Sequence, residues 1–288
     1  MKSFLLSVVV AFPAIGMLSC SSDSGITHGT LVNELRFARR TGEEVDGTDV
    51  SPGLNLDDLI SDRLDSAGCN RADFMSPDGT MGVDNQFTFL FEAIEEVFPN
   101  TVEGIIQGTI NEGRLLLMFE LNGVDDMRND DDVELRIFLA EGRPDLSSAN
   151  RIVPNQTFDM RADAPVTRAR GHIRDGIFEA GPFDVEFPVA VFDVFFDLYL
   201  TGARMRAEIR EDGTMHGFFG GGMAATQILE VAMRADMLQG IELTPIIQVL
   251  LPRWVDLYPD AEGRCTQLST TMEFNATTAF IYDDAPAP

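Results

Sequence analysis

The sequence predicts an α+β fold in which one curved antiparallel sheet, of about seven to nine strands, is covered by two pairs of helices in a single domain. Several segments alternate apolar and polar residues, as half-buried strands do. Four other segments place apolar residues at three- and four-residue steps, as helices do. Asp-Gly pairs separate neighbouring alternating segments, which favours hairpins and antiparallel pairing.

The first helical pair precedes the main strands. Apolar residues from Phe87 onward share one helical face, and Pro99 ends that helix. Thr101 is placed to cap a second helix that ends before Gly113.

The strands of the sheet follow these helices. Residues 115–121 and 133–139 alternate and are separated by an acidic turn, which predicts an antiparallel pair. Asp175-Gly176 marks a hairpin, and residues 183–200 are expected to hold two strands broken near Pro188.

A second hairpin leads to the second helical pair. Asp212-Gly213 turns the chain into a strand that reaches the glycine-rich segment 217–222. This segment lacks the Lys and Ser/Thr of a P-loop, and we interpret it as close backbone packing or a bulge where the strand meets the helix. A helix is predicted from 224 to 238. Thr244-Pro245 opens another, with Thr244 as its cap, and a last strand covers 268–280.

The N-terminus has the pattern of a bacterial lipoprotein signal. Lys2, the only lysine, precedes an apolar run that is shorter than the roughly 20 residues needed to span a bilayer. Ser19-Cys20 follows this run and resembles the end of a lipobox, whose cysteine becomes lipidated. We therefore predict a signal peptide over 1–19 with Cys20 as the lipidation site. An ordinary cleaved signal is the alternative.

The rest of the chain divides into three predicted parts. Residues 20–55 are rich in small, polar and acidic residues and are interpreted as a flexible acidic tether. Residues 56–283 form the α+β domain, and residues 284–288 form a disordered tail.

The composition excludes some partners. Asp and Glu number 47 against 21 Lys and Arg, which gives a net charge of −26. A chain this acidic has no electrostatic basis for binding nucleic acid or for attraction to an anionic membrane surface. The expected contact with a membrane is therefore through the N-terminal lipid.

Two cysteines remain if Cys20 is lipidated. Exported proteins fold in an oxidising compartment, where two remaining cysteines usually pair. We predict a disulfide between Cys69 and Cys265, with two free thiols as the alternative.

A run of acidic residues is the stronger of two candidate metal sites. Ca²⁺ binds carboxylate, amide and carbonyl oxygens, which Asp73, Asp78, Asp84 and Asn85 would supply. Their spacing matches no EF-hand loop, so the alternative is turn and capping chemistry, with Asp84 capping the helix that follows. The acidic turn at 125–132 is a second, weaker candidate for a metal.

The segment from Cys69 to Gly79, continued by Gly82 to Gln86, resembles a stretch found in uncharacterised envelope lipoproteins of high-GC Gram-negative bacteria. The resemblance implies a location in the cell envelope and supplies no activity. Ser21 after the cysteine suits delivery to the outer membrane, facing the periplasm or the cell surface.

No catalytic constellation is recognisable: no G-x-S-x-G elbow occurs, and the three histidines lack metal-ligand spacing. We therefore expect a non-enzymatic, lipid-tethered binding or scaffold domain without a required cofactor, whose partner is a hydrophobic ligand or an envelope protein. One alternative is a carrier of a hydrophobic or acyl-chain ligand between sheet and helices, since Phe is abundant. Another is a calcium-dependent adhesion or binding module.

Overall fold

A computed structural model describes residues 25–66, 68–97, 99, 101–191, 194–240 and 242–282. Four helices and fourteen strands are assigned within these residues. The helices are α1 (Phe87–Val97), α2 (Thr101–Asn111), α3 (Ala225–Gln239) and α4 (Thr244–Trp254). The long strands are β1 (Ile26–Phe37), β6 (Leu116–Val124), β7 (Asn129–Glu141), β9 (Thr167–Arg174), β10 (Ile177–Val191), β11 (Val194–Ile209), β12 (Met215–Ala224) and β14 (Cys265–Tyr282). The short strands are β2 (Glu44–Val45), β3 (Thr48–Asp49), β4 (Phe74–Met75), β5 (Met81–Val83), β8 (Gln156–Met160) and β13 (Leu257–Pro259).

The main sheet is antiparallel, as predicted, but it closes into a barrel, which goes beyond the curved sheet that the sequence predicted. The eight long strands form a ring in the order β1-β6-β7-β9-β10-β11-β12-β14, and β14 returns to pair with β1. All neighbours in this ring are antiparallel. Strands β8 and β13 add to the sheet and bring it to ten strands, more than the sequence predicted.

The interpretation of residues 20–55 as a flexible tether is wrong for the part that includes strand β1. This strand pairs with β6 on one side and with β14 on the other, and its residues Leu31 and Val32 are fully buried. A β-bulge between Val32 and Glu34 shifts the register. The bulge interrupts the period-two pattern by which a strand is recognised in a sequence.

The break predicted near Pro188 is also wrong. Strand β10 continues through Pro188, which is paired with Asp197 of β11. Strand β9 pairs only with residues 177–180 of β10. Pro188 therefore lies outside the part of β10 that pairs with β9. On that edge of the strand, the N–H that proline lacks would have no ladder hydrogen bond to make.

Phenylalanine rings from several strands pack against one another inside the barrel. The ring of Phe119 on β6 lies 4.8 Å from that of Phe274 on β14 and 6.1 Å from that of Phe219 on β12. Strands β6 and β12 are not neighbours, so these rings meet across the interior. Phe183 and Phe187 of β10 each lie 6.4 Å from Phe219, measured between ring centroids.

The glycine-rich segment belongs to β12, and the prediction of close backbone packing is confirmed. A Cβ atom on Gly217 would overlap the carbonyl oxygen of Arg206 on β11, and one on Gly220 would crowd Thr270 of β14. Glycine at these positions lets the backbones of the three strands approach one another.

The helices lie at one end of the barrel. Helix α2 contacts both β1 and β10, which occupy opposite positions in the ring, so it lies across the opening. Helix α4 contacts α1 and α3. The Asp236 carboxylate accepts hydrogen bonds from the backbone N–H of Leu243 (2.7 Å) and Thr244 (3.1 Å) at the start of α4. The predicted cap by Thr244 is therefore wrong, because an acid of α3 performs this role. In the described part of the chain, no helix combines the length and the apolar character needed to cross a membrane.

Candidate functional site

A long irregular loop covers the barrel wall next to α1 and α4. It extends from Asn55 to Asp73, and the predicted disulfide is confirmed at its end, where Cys69 is bonded to Cys265 of β14 with a Cα–Cα distance of 6.0 Å. Cys69 and Asn70 both have left-handed backbone angles, with φ of 53° and 58°. The disulfide therefore fixes a sharply turned segment against the barrel.

Buried carboxyl groups hold the same loop from beneath. Asp84 precedes α1, is 3% exposed, and accepts a hydrogen bond from the Leu56 backbone N–H at 2.6 Å. Asp73 accepts one from the Ser61 N–H at 2.6 Å, and the Asp73 and Asp84 side chains are hydrogen-bonded to each other. These bonds satisfy backbone groups that no regular secondary structure supplies with partners.

A third carboxyl group completes this cluster, and sequence reasoning missed it. Asp256 follows α4, is 5% exposed, and accepts a hydrogen bond from the Ser269 N–H at 2.8 Å. Burial raises the pKa of Asp256 to about 7 and that of Asp73 to about 6, and the neighbouring Asp57 adds to both shifts. Burial, and then the charges of Asp256, Asp57 and Asp73, raises the pKa of Asp84 well above its usual range. One or more of the three therefore keeps a proton near neutral pH.

The four residues predicted to bind Ca²⁺ do not form one site. Asp73 and Asp84 lie together, whereas Asp78 is in the β4–β5 turn, where it is hydrogen-bonded with Ser76 and Thr80. These bonds lower the pKa of Asp78 to about 2. Asn85 is buried elsewhere and donates to the carbonyl oxygen of Ala38 and to Ser51 Oγ, both at 2.9 Å.

Among the described residues, no three His, Cys, Asp or Glu side chains are arranged to hold a metal ion. The alternative interpretation expected Asp84 to cap α1. The Asp84 carboxyl group instead accepts a hydrogen bond from the backbone N–H of Leu56. In the acidic turn 125–132, Asp130 accepts hydrogen bonds from backbone N–H groups of the turn itself. The Asp130 side chain therefore stabilises the turn by hydrogen-bonding to its backbone.

A groove of about 1200 Å³ runs between the loop and α4, and we call it the loop–helix groove. Aromatic rings form part of its lining: Trp254, the only tryptophan of the chain, stacks on Phe89 of α1 with ring centroids 4.2 Å apart and an interplanar angle of 16°. The Arg40 guanidinium lies over Phe89, 4.8 Å from its centroid, and forms a bidentate ion pair with Glu92. These contacts fix the rings in position.

Two apolar side chains of the loop are exposed beside these rings. Ile60 is 65% exposed and Leu64 is 89% exposed, and both line the loop–helix groove. Arg63, Arg71 and Arg253 also line the groove, as does Asp73, whereas Asp84 and Asp256 do not. The groove is therefore an open surface site with apolar, aromatic and cationic groups side by side.

A second, smaller pocket lies on the barrel wall. It measures about 470 Å³ and is lined by Arg170, Arg204 and Arg206 together with acids. Each of these arginines is paired: Arg170 with Asp132, Arg204 with Asp58, and Arg206 with Glu179 and Asp78. Their charges are balanced within the chain.

Cys20, the predicted lipidation site, lies outside the described residues. Comparison of the chain with protein-family models, with curated proteins and with solved structures finds no match.

Proposed function

We propose that the protein is a cell-envelope lipoprotein, anchored through Cys20, whose barrel is a non-enzymatic domain that binds its partner in the loop–helix groove. The single observation that carries the binding proposal is the exposure of Ile60 and Leu64 beside the Trp254–Phe89 stack. Exposed apolar groups grouped in a concave site are a common mark of ligand or partner binding.

The arrangement of carboxyl groups supports a non-enzymatic role. A pair of acids that acts on a substrate must reach it, but of the three clustered carboxyl groups only Asp73 lines the groove. Asp84 accepts a hydrogen bond from a backbone N–H of the loop, and Asp256 accepts one from a backbone N–H of β14. We therefore assign these acids to holding the loop in place.

The carrier hypothesis is retained for the groove and not for the barrel interior. The axis of the barrel holds the rings of Phe119, Phe219 and Phe274, which are fully buried. An acyl chain would find room in the groove, along Ile60 and Leu64. The calcium-module hypothesis stays a prediction, and a melting shift with Ca²⁺ that EDTA reverses would support it.

Tryptophan fluorescence tests the groove. Because Trp254 is the only tryptophan, its emission reports occupancy of the site directly. We expect octyl glucoside, added below its critical micelle concentration to the full-length Cys20→Ala protein, to shift this emission in a saturable way. Leu64→Ser should weaken the response, because it removes apolar contact area without disturbing the core.

The control is Phe280→Ser, which removes a 55%-exposed side chain on β14 that does not line the groove. An unchanged emission in the parent protein, or an equal loss in both variants, would contradict the assignment of the groove.

Metabolic labelling tests the anchor. A palmitate analogue should label the native chain and leave Cys20→Ala unlabelled, since the thiol of this residue is the proposed point of attachment. Equal labelling of both proteins would rule out lipidation at Cys20.

A further inference from the structure

Charge pairing divides the arginines of this chain into two groups. Fourteen of the twenty form ion pairs, as is expected where acids are in large excess. Within the described part of the chain, six form none: Arg63, Arg71, Arg128, Arg143, Arg161 and Arg253. Three of these six line the loop–helix groove.

Arg71 shows how this group is held. Its terminal nitrogens donate to the carbonyl oxygens of Asn70 (3.3 Å) and Pro252 (3.4 Å), which joins the loop to the end of α4. Its Nε is buried and has no hydrogen-bond partner among the described residues. The guanidinium is therefore fixed next to the disulfide, with donor capacity left over.

The lack of ion pairs at Arg63 and Arg253 is unexpected in so acidic a chain. Arg63 is exposed on the loop and Arg253 is exposed at the end of α4, in a chain that has 47 Asp and Glu against 21 Lys and Arg. The arginines of the barrel-wall pocket do find acidic partners. Unpaired arginines beside a groove keep guanidinium N–H donors available to a bound anion.

In the described part of the chain, the four acids that line the groove form no ion pair with Arg63, Arg71 or Arg253. Glu44 and Asp49 face each other across the β2–β3 hairpin, on the side of Arg40. The hydrogen bond with Glu92 raises the pKa of Arg40, and the charge of Asp49 adds to this shift. Asp62 accepts a hydrogen bond from the Leu64 backbone N–H. Asp73, the remaining acid of the lining, is hydrogen-bonded to Ser61 and Asp84.

We propose that the loop–helix groove binds an anionic amphiphile, with a phosphate-type headgroup on Arg63, Arg71 and Arg253 and an apolar chain along Ile60, Leu64 and Trp254. This inference rests on the proposed function, since it names the chemical class bound in the same groove. Arginine suits a phosphate because its planar fork donates two parallel hydrogen bonds to the oxygens. The adjoining apolar side chains explain why the ligand carries a chain as well as a charge.

The test compares three probes on the full-length Cys20→Ala protein, followed by Trp254 emission and by calorimetry. Octyl phosphate carries both the chain and the charge, octyl glucoside carries the chain alone, and inorganic phosphate carries the charge alone. We expect octyl phosphate to bind at least about tenfold more tightly than either of the others, the size expected for one charge-assisted hydrogen bond. Added salt should narrow this difference.

Substitutions assign the charge to particular residues. Arg63→Gln and Arg253→Gln, both at exposed positions, should each weaken octyl phosphate binding about fivefold and leave octyl glucoside binding unchanged. Arg71→Gln should do the same, with a melting curve to verify folding. The matched control is Arg128→Gln in the β6–β7 turn, which changes the net charge equally and should leave the affinity unchanged.

The outcomes separate the two proposals. Equal affinity for octyl phosphate and octyl glucoside would overturn the anionic preference and leave the groove assignment standing. Equal affinity for inorganic phosphate and octyl phosphate would overturn the amphiphile, and an equal loss in Arg128→Gln would overturn the role of the three arginines. No response to any probe would overturn the groove itself.

Discussion

Single carboxyl groups control how the irregular loop is attached to the barrel. Asp84 accepts a hydrogen bond from the N–H of Leu56, and Asp73 accepts one from the N–H of Ser61, at the two ends of the segment 56–61. Asp256 accepts a hydrogen bond from a backbone N–H of β14. Burial favours the neutral form of each, which is why their pKa values are raised. The stability of the protein should therefore respond to pH through these three residues.

The sign of this response follows from proton binding. A carboxyl group whose pKa is raised on folding binds protons more tightly in the folded state, so the protein loses stability as pH rises from about 4 to about 7. We expect Asp256→Asn, which keeps an acceptor for the Ser269 N–H, to stabilise the protein at pH 9. The stabilisation is expected to be at most about 4 kcal/mol, which corresponds to the rise of about three units in the pKa of Asp256 on folding.

Thermal melting at pH 5 and pH 9 measures this effect. The difference between the two melting temperatures should shrink in Asp256→Asn and persist in Asp46→Asn, an exposed position with the same change in charge. An equal reduction in both variants would assign the effect to overall charge repulsion instead.

At the level of elements, the close contacts of β12 determine how tightly the barrel wall packs. A Cβ at Gly217 would overlap Arg206 and Ala207 of β11, whereas one at Gly104, exposed in α2, would meet open space. A side chain at position 217 would therefore collide with β11. Position 104 has space for a side chain, and its backbone angles do not require glycine.

Alanine substitution distinguishes these two positions. Gly217→Ala should lower the free energy of unfolding by roughly 3 kcal/mol, because backbone atoms of β11 must move. Gly104→Ala should raise it by about 0.5–1 kcal/mol through its better helix propensity. Urea denaturation of both variants measures the pair, and a neutral Gly217→Ala would contradict the described packing of β11 on β12.

At the level of the whole molecule, the disulfide connects the loop to the last strand across 196 residues of sequence. In the chain-entropy model, closing so long a loop in the unfolded chain contributes roughly 4–5 kcal/mol. The same bond keeps the loop against α4, beside the groove.

Reduction tests both consequences. We expect dithiothreitol to lower the melting temperature and to change the emission of Trp254, since the loop loses its attachment next to that side chain. The double variant Cys69→Ala/Cys265→Ala should match the reduced protein and should not respond to dithiothreitol. Identical melting of the oxidised and reduced native protein would show that the bond adds no stability.

The sequence alone determined the local features of this protein. Periodicity, proline and Asp-Gly turns located α1–α4 and the hairpins of β6–β7, β9–β10 and β11–β12, because these depend on residues close in the chain. The pairing of Cys69 with Cys265 was also predictable, because only two cysteines were left to pair.

Only the tertiary structure decided the closure of the barrel and the composition of the groove. Closure depends on the pairing of β1 with β14, from opposite ends of the chain, and a bulge hides β1 from pattern analysis. Asp256 joins Asp73 and Asp84, and Arg253 joins Arg63 and Arg71, across more than 170 residues. No local pattern encodes such neighbours, since side chains that are distant in sequence meet only after the core has packed.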